Sequence, residues 1–203
     1  MPKQARSEAT YHALLDAAEQ VFAAQGYAAA SVAAICRAAG VSKGAFYHHF
    51  PSKQAVFLAL LQRWLQRLEE QLRHQRRAHP DIAAALLAMS TQVQQVRREG
   101  RRHWALWLDF WRYAARDPAV WAATAAPYRR FEQMFAEWLV EAQRQGALPD
   151  EDPHTAARVL LALAMGVLVQ GMLLPNDADW GQVAYRGVLT LLRGWGFTPP
   201  TTA

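Results

Sequence analysis

Cys36 is the only cysteine in 203 residues, so the chain can form neither a disulfide framework nor a cysteine-based metal motif. The histidines do not fill that gap. His48 and His49 are adjacent and point to different sides of a helix, neither has a histidine four residues away, and His74 and His79 are no better placed. No metal and no other cofactor is expected. A nucleophile elbow, a glycine-rich phosphate loop and paired carboxylates flanking the tryptophans are also missing, so no residue is a candidate for catalysis. The N-terminus MPKQARSEATYHALLD lacks the apolar core of a signal sequence. The most apolar run, Val159 to Leu174, includes Gln170 and two glycines and is shorter than the roughly 18–20 residues that span a bilayer. A cytoplasmic chain without a membrane partner is the expectation.

What is present is a composition able to bury a core, with 52% hydrophobic and 19% charged residues. The formal charge of +5 is unevenly placed. Residues 1–54 hold five Lys/Arg against three Asp/Glu, residues 55–103 nine against four, and the remainder eight against ten. A basic N-terminal half and a slightly acidic C-terminal half suit a chain that presents one end to a polyanion.

Helical spacing recurs from end to end without strand alternation, internal repeats or low-complexity linkers, so the expected class is all-α. Leu14, Leu15, Ala18, Val21 and Phe22 share one helical face, and Gly26 is a C-terminal stop. Ser31 caps a second helix, SVAAICRAA, that halts at Gly40; Ser42 caps a third, SKGAFYHHF, that halts at Pro51. Ser52 opens a longer helix towards Arg76. Further helices are expected from Pro80 to about Arg98, over RRHWALWLDFWRYAAR, from Pro118 to Gln145 with a kink or split at Pro127, from Pro153 to Leu174, and from about Asp177 to Arg193. The expected division is a DNA-binding domain over 1–51 and a helical domain over 52–203.

Two short helices meeting at a glycine-containing turn are the outline of a helix-turn-helix. Gly40 sits where the chain must turn sharply, and small Cys36 lies on the inner side of the bend, more a packing residue than a sensor. Ile35, Val41, Phe46 and Phe50 provide apolar faces. Lys43, Gly44, Tyr47, His48 and His49 are then left outward. Read alone, that set is a solvated helix end; behind this turn it suits a major groove, with Gly44 and Ala45 small enough to let the helix sink in.

The stretch IxxAAGVSKGAFYHHFPSKQAV resembles the signature of the TetR family of bacterial transcriptional regulators, with a close match from about Thr10 to Val56. The resemblance implies that Ser31, Ser42, Tyr47, His49 and Lys53 contact phosphates, while Ala33, Lys43, Gly44, Ala45 and His48 face base edges. The family usually has alanine where Cys36 stands. Phosphate contacts position a protein on DNA and base contacts specify the sequence. With Lys43 the only long donor facing bases, direct readout is thin, and DNA shape and half-site spacing carry much of the specificity.

The resemblance also implies a ligand cavity in the aromatic-rich region. Trp104, Trp107 and Trp111 form an i, i+3, i+7 stripe, joined by Tyr128 and Phe131, with His103, Asp109 and Gln133 as polar candidates. Such a wall suits an apolar, aromatic or long-chain effector. Val159 to Leu174 is apolar nearly all round and needs burial on both sides. Leu163, Gly166, Val167, Gln170 and Gly171, with Val188 and Leu192 of the last helix, are the candidate residues of a two-fold, four-helix dimer interface, as the family dimerises. The resulting reading is a homodimeric, ligand-responsive repressor on a palindromic operator in double-stranded DNA. The rivals are an effector-independent DNA-binding protein and an enzyme using the aromatic cavity.

Overall fold

The computed structural model describes residues 3–93, 111–112, 114–146 and 151–197. Among these residues the regular elements are helices and there is no strand. Eight described helices follow in order: α1 Lys3–Ala29, α2 Val32–Ala39, α3 Lys43–His49, α4 Lys53–Ala78, α5 Ile82–Thr91, α6 Pro118–Arg144, α7 Pro153–Leu173 and α8 Trp180–Gly194.

The boundaries follow from local chemistry. Gly26, at φ 75° and ψ 162°, interrupts α1, and helical bonding resumes as far as Ala29. The hydroxyl oxygen of Ser31 accepts from the Ala34 amide at 3.1 Å, and that of Ser42 from the Ala45 amide at 3.1 Å. Each satisfies one of the orphan donors of a helix start. Between them Gly40 adopts φ 65°, its amide donates to the Arg37 carbonyl, and the Val41 amide donates to the Cys36 carbonyl at 3.0 Å. That pair of bonds is a Schellman motif, which ends α2 and turns the chain sharply into α3. Asp81, Asp152 and Asp179 cap α5, α7 and α8 in the same manner as the serines.

Of the kink or split expected at Pro127, the split does not occur: α6 is one helix from Pro118 to Arg144. A proline inside a helix forfeits one backbone donor, and the helix continues past it. The helix expected from Pro80 is described only as Ile82–Thr91, and most of RRHWALWLDFWRYAAR lies outside the described residues.

The described residues fall into two compact units. One runs to Arg67 and takes in the described residues from Trp111 to Ala125; the other takes the remainder. This differs from the expected division after residue 51, because the first four turns of α4 bury Val56, Phe57, Leu60, Leu61 and Leu65 in the first unit. There, Leu14, Leu15, Phe22, Ile35, Phe46 and Val56 are fully buried. The rings of Phe22, Tyr27 and Phe57 meet at centroid distances of 5.3–5.9 Å. Arg63 forks to Asp16 and Glu19 of α1, each at 2.6 Å.

In the second unit α8 packs on both α5 and α7, burying Trp180, Ala184, Val188 and Leu192. Trp180 Nε1 donates to the Leu174 carbonyl at 2.9 Å, which closes the turn between α7 and α8. Phe46 is the largest side chain anchoring α3. Its replacement by alanine is expected to lower the unfolding free energy by about 3–5 kcal/mol, read as a shift of the denaturant midpoint at unchanged slope. A loss below about 1 kcal/mol would contradict its role as the anchor.

Candidate nucleic-acid interface

Helix α3 has seven residues and one buried side chain, Phe46 at 0% exposure, with Phe50 buried just beyond its end. Successive residues advance about 100° around a helix, so fixing Phe46 and Phe50 inward fixes everything else. Lys43, Gly44, Tyr47 and His48 are exposed, while Ala45 and His49 are half-buried at the flanks. Tyr47 is 56% exposed, which is unusual for a large aromatic side chain. The capping serines are exposed too, as is Ala33 on the outer side of α2. Seven of the ten residues expected to meet DNA are therefore exposed, and they lie on α2, α3 and the caps of those helices.

Ala45, His49 and Lys53 are half-buried, and Lys53 is engaged within the chain. Its ammonium donates to the carbonyls of Tyr27 at 2.7 Å, Ala28 at 3.2 Å and Ala30 at 2.8 Å, and it sits 4.5 Å from the centroid of the Tyr27 ring. An ammonium has three protons, and all three are taken. The side chain expected at a phosphate is here a strut that ties the first turn of α4 to the end of α1. Burial lowers the pKa of Lys53; the charge is retained by three carbonyl acceptors and a ring face.

His49 is held from behind by Tyr11, a residue the sequence reading passed over. The Tyr11 ring stacks on Phe50 at 4.9 Å and meets His49 edge-on at 6.1 Å. Burial, and then the neighbouring His48, lower the pKa of His49. A nearby phosphate acts in the opposite sense, since an anion favours the imidazolium. The available signal for Tyr11 was an aromatic residue one turn ahead of the apolar stripe of α1.

Of the residues expected to line a ligand cavity, His103, Trp104, Trp107 and Asp109 lie outside the described residues. Trp111 is half-buried. Phe131 is buried in the second unit, whereas Tyr128 is 42% exposed and so is not enclosed there. Gln133 is exposed and pairs with Glu137 at 3.2 Å. Among the described residues no three His, Cys, Asp or Glu side chains converge as metal ligands would. Cys36 is buried as a free thiol.

The expected dimer residues divide sharply. Val167, Gly171, Val188 and Leu192 are buried inside the subunit. Leu163 is partly buried against Val167, Trp180 and Ala184, and its methyls press on Gly187. Gly166 and Gln170 stay on the outer side. On α7, α8 and the turn between them, the large apolar residues left exposed are Val159, Val169, Leu173, Leu174 and Val183.

Residues 14–60 match the sequence model for bacterial regulatory proteins of the tetR family, and residues 83–189 match that for the C-terminal part of BetI-type transcriptional repressors. The transcriptional regulator UidR of Escherichia coli K12 is 28% identical over 184 residues, covering 88% of this chain and 91% of the relative. The regulator BetI of Pseudomonas paraeruginosa PA7 is 30% identical over 173 residues, covering 83% and 82%. The solved structure of a SmeT–triclosan complex superposes with a TM-score of 0.79 at 25% identity, over 96% of this chain and 95% of that one.

The two roles considered for Lys53 predict different outcomes. As a strut, Lys53→Met is expected to lower stability by on the order of 2 kcal/mol, since charge-assisted hydrogen bonds are lost, while the salt dependence of DNA binding keeps its slope. A phosphate contact would instead reduce that slope by about one, with little loss of stability. Thermal unfolding and a salt titration of DNA affinity on the same variant decide between them.

Proposed function

The chain belongs to the TetR family of bacterial regulatory proteins, and on that premise we propose that it is a ligand-responsive repressor. It acts in the cytoplasm as a homodimer on a palindromic operator and is released by a hydrophobic or aromatic small molecule. The observation that carries the DNA reading is the outward face of α3, where Lys43, Gly44, Tyr47 and His48 are exposed on a helix anchored by Phe46. Lys43, Gly44, Ala45, His48 and Ala33 face base edges. Ser31, Ser42, Tyr47 and His49 meet phosphates, and Lys53 is withdrawn from that set.

The dimer reading rests on α7. By length and composition this helix could cross a membrane, yet only 28% of its most apolar stretch is buried inside the subunit. Val159, Ala162, Gly166, Val169 and Leu173 follow one another at spacings of three and four and form one outer stripe. Among the described residues, a Cβ at Gly166 would meet nothing nearer than the Gln170 side chain at 3.9 Å, so none of them requires glycine there. A second copy of α7 pressed against that backbone supplies the reason, and a two-fold pair of subunits matches a palindromic site.

For the effector, the support is the tryptophan-rich stretch from Trp104 to Trp111 and the triclosan held by the SmeT relative. Helix α4 carries residues of both compact units. A ligand that binds one position of α4 better than another would alter the spacing of the two α3 helices, and only that difference in affinity can drive release.

In a selection from random DNA, the purified chain is expected to enrich an inverted repeat, and a thermal-shift screen of apolar and aromatic compounds to yield a stabilising ligand that weakens this binding. Ligands that stabilise the protein and leave DNA affinity unchanged would overturn the repressor reading. Leu173→Glu places a charge in the outer stripe and is expected to shift the protein from dimer to monomer in sedimentation velocity. A wild-type chain that stays monomeric at high concentration would remove the dimer.

A further inference from the structure

Glycine is, after proline, the residue least suited to a helix interior, and a seven-residue helix has little margin for it. The glycines at 40 and 146 have positive φ, and a Cβ at Gly187 would press on Leu163 at 2.8 Å. Gly44 has neither reason. Its φ is not positive, it is exposed, and a Cβ there would meet only the Ser42 hydroxyl oxygen at 3.7 Å, an ordinary contact. The described residues leave room for alanine at 44, and α3 would form more readily with it.

The position of Gly44 on the helix shows where the reason lies. With Phe46 and Phe50 inward, the point of α3 farthest from the core falls between Gly44 and His48. Lys43 and Tyr47 flank that point on one side, and Ala45 and His49 on the other. Whatever lies against α3 therefore comes closest to its backbone at Gly44. The surface offered there is a bare Cα beside the Ala45 methyl, which can neither donate nor accept a side-chain hydrogen bond. Among the base edges of a major groove, the group that gains from such a surface is the C5-methyl of thymine.

We infer that Gly44 is a specificity-determining residue whose missing side chain makes room for a thymine methyl in each half-site. The inference rests on the regulator reading and deepens it. It is tested with Gly44→Ala on the operator recovered by selection, using paired duplexes in which uracil replaces thymine one position at a time, so that only a methyl is lost. Gly44→Ala is expected to raise the melting temperature by roughly 2–4 °C and to weaken binding to the thymine operator by about tenfold or more. At one symmetric position uracil is expected to restore the variant's binding while weakening that of the wild-type chain. Equal affinity of variant and wild-type for the thymine operator would overturn the inference, as would an equal loss on every uracil duplex. A wild-type chain that selects no DNA would instead overturn the regulator reading itself.

Discussion

Burial of the Phe46 ring sets the orientation of everything the first unit can present. A helix of seven residues is too short to hold itself in water, so α3 exists because one ring is locked into the core and a second, Phe50, continues the same face. Once those two point inward, the 100° step of the helix leaves no choice about which residues point out. The stack of Tyr11 on Phe50 extends the anchoring to α1 and places His49 against a ring rather than in open water. The chemistry of the outer face follows from packing on the inner one.

The same dependence extends to the helix that follows. Lys53 closes the end of α1 with its ammonium, and Arg63 forks to two carboxylates of the same helix ten residues later. Both links lie within the first unit and tie the start of α4 to α1 at two levels. A basic residue at the head of a helix beside a DNA-facing turn invites a phosphate role, yet here its ammonium donates to three backbone carbonyls. An apolar helix raises a comparable question in the second unit. Only the packing of α8 on α7 divides a stretch that is apolar all round into an inner face of Val167 and Gly171 and an outer stripe from Val159 to Leu173.

Glycines distinguish the kinds of constraint acting on this chain. Gly40 is there for its backbone angle, Gly187 for the side chain packed on it, and Gly44 and Gly166 for no reason found among the described residues. The last two sit on the two surfaces that other evidence leaves open, the outer face of α3 and the outer stripe of α7. A residue that costs helical stability and is not required inside the molecule points to a contact outside it.

The sequence by itself determined the all-helical class, the caps at Ser31, Ser42 and Ser52, the turn at Gly40, and the residues of α3 that face outward. Each of these depends on partners within about four residues along the chain, where spacing and residue type are enough. Tertiary structure alone decided that Lys53 is a strut, since its acceptors lie 23–26 residues away. It also decided that Tyr11 backs His49, that Pro127 stays within one helix, and that Val188 and Leu192 belong to the subunit's own core. These outcomes are set by which distant surfaces meet, and hydrophobic attraction, having no direction, does not encode that in local spacing.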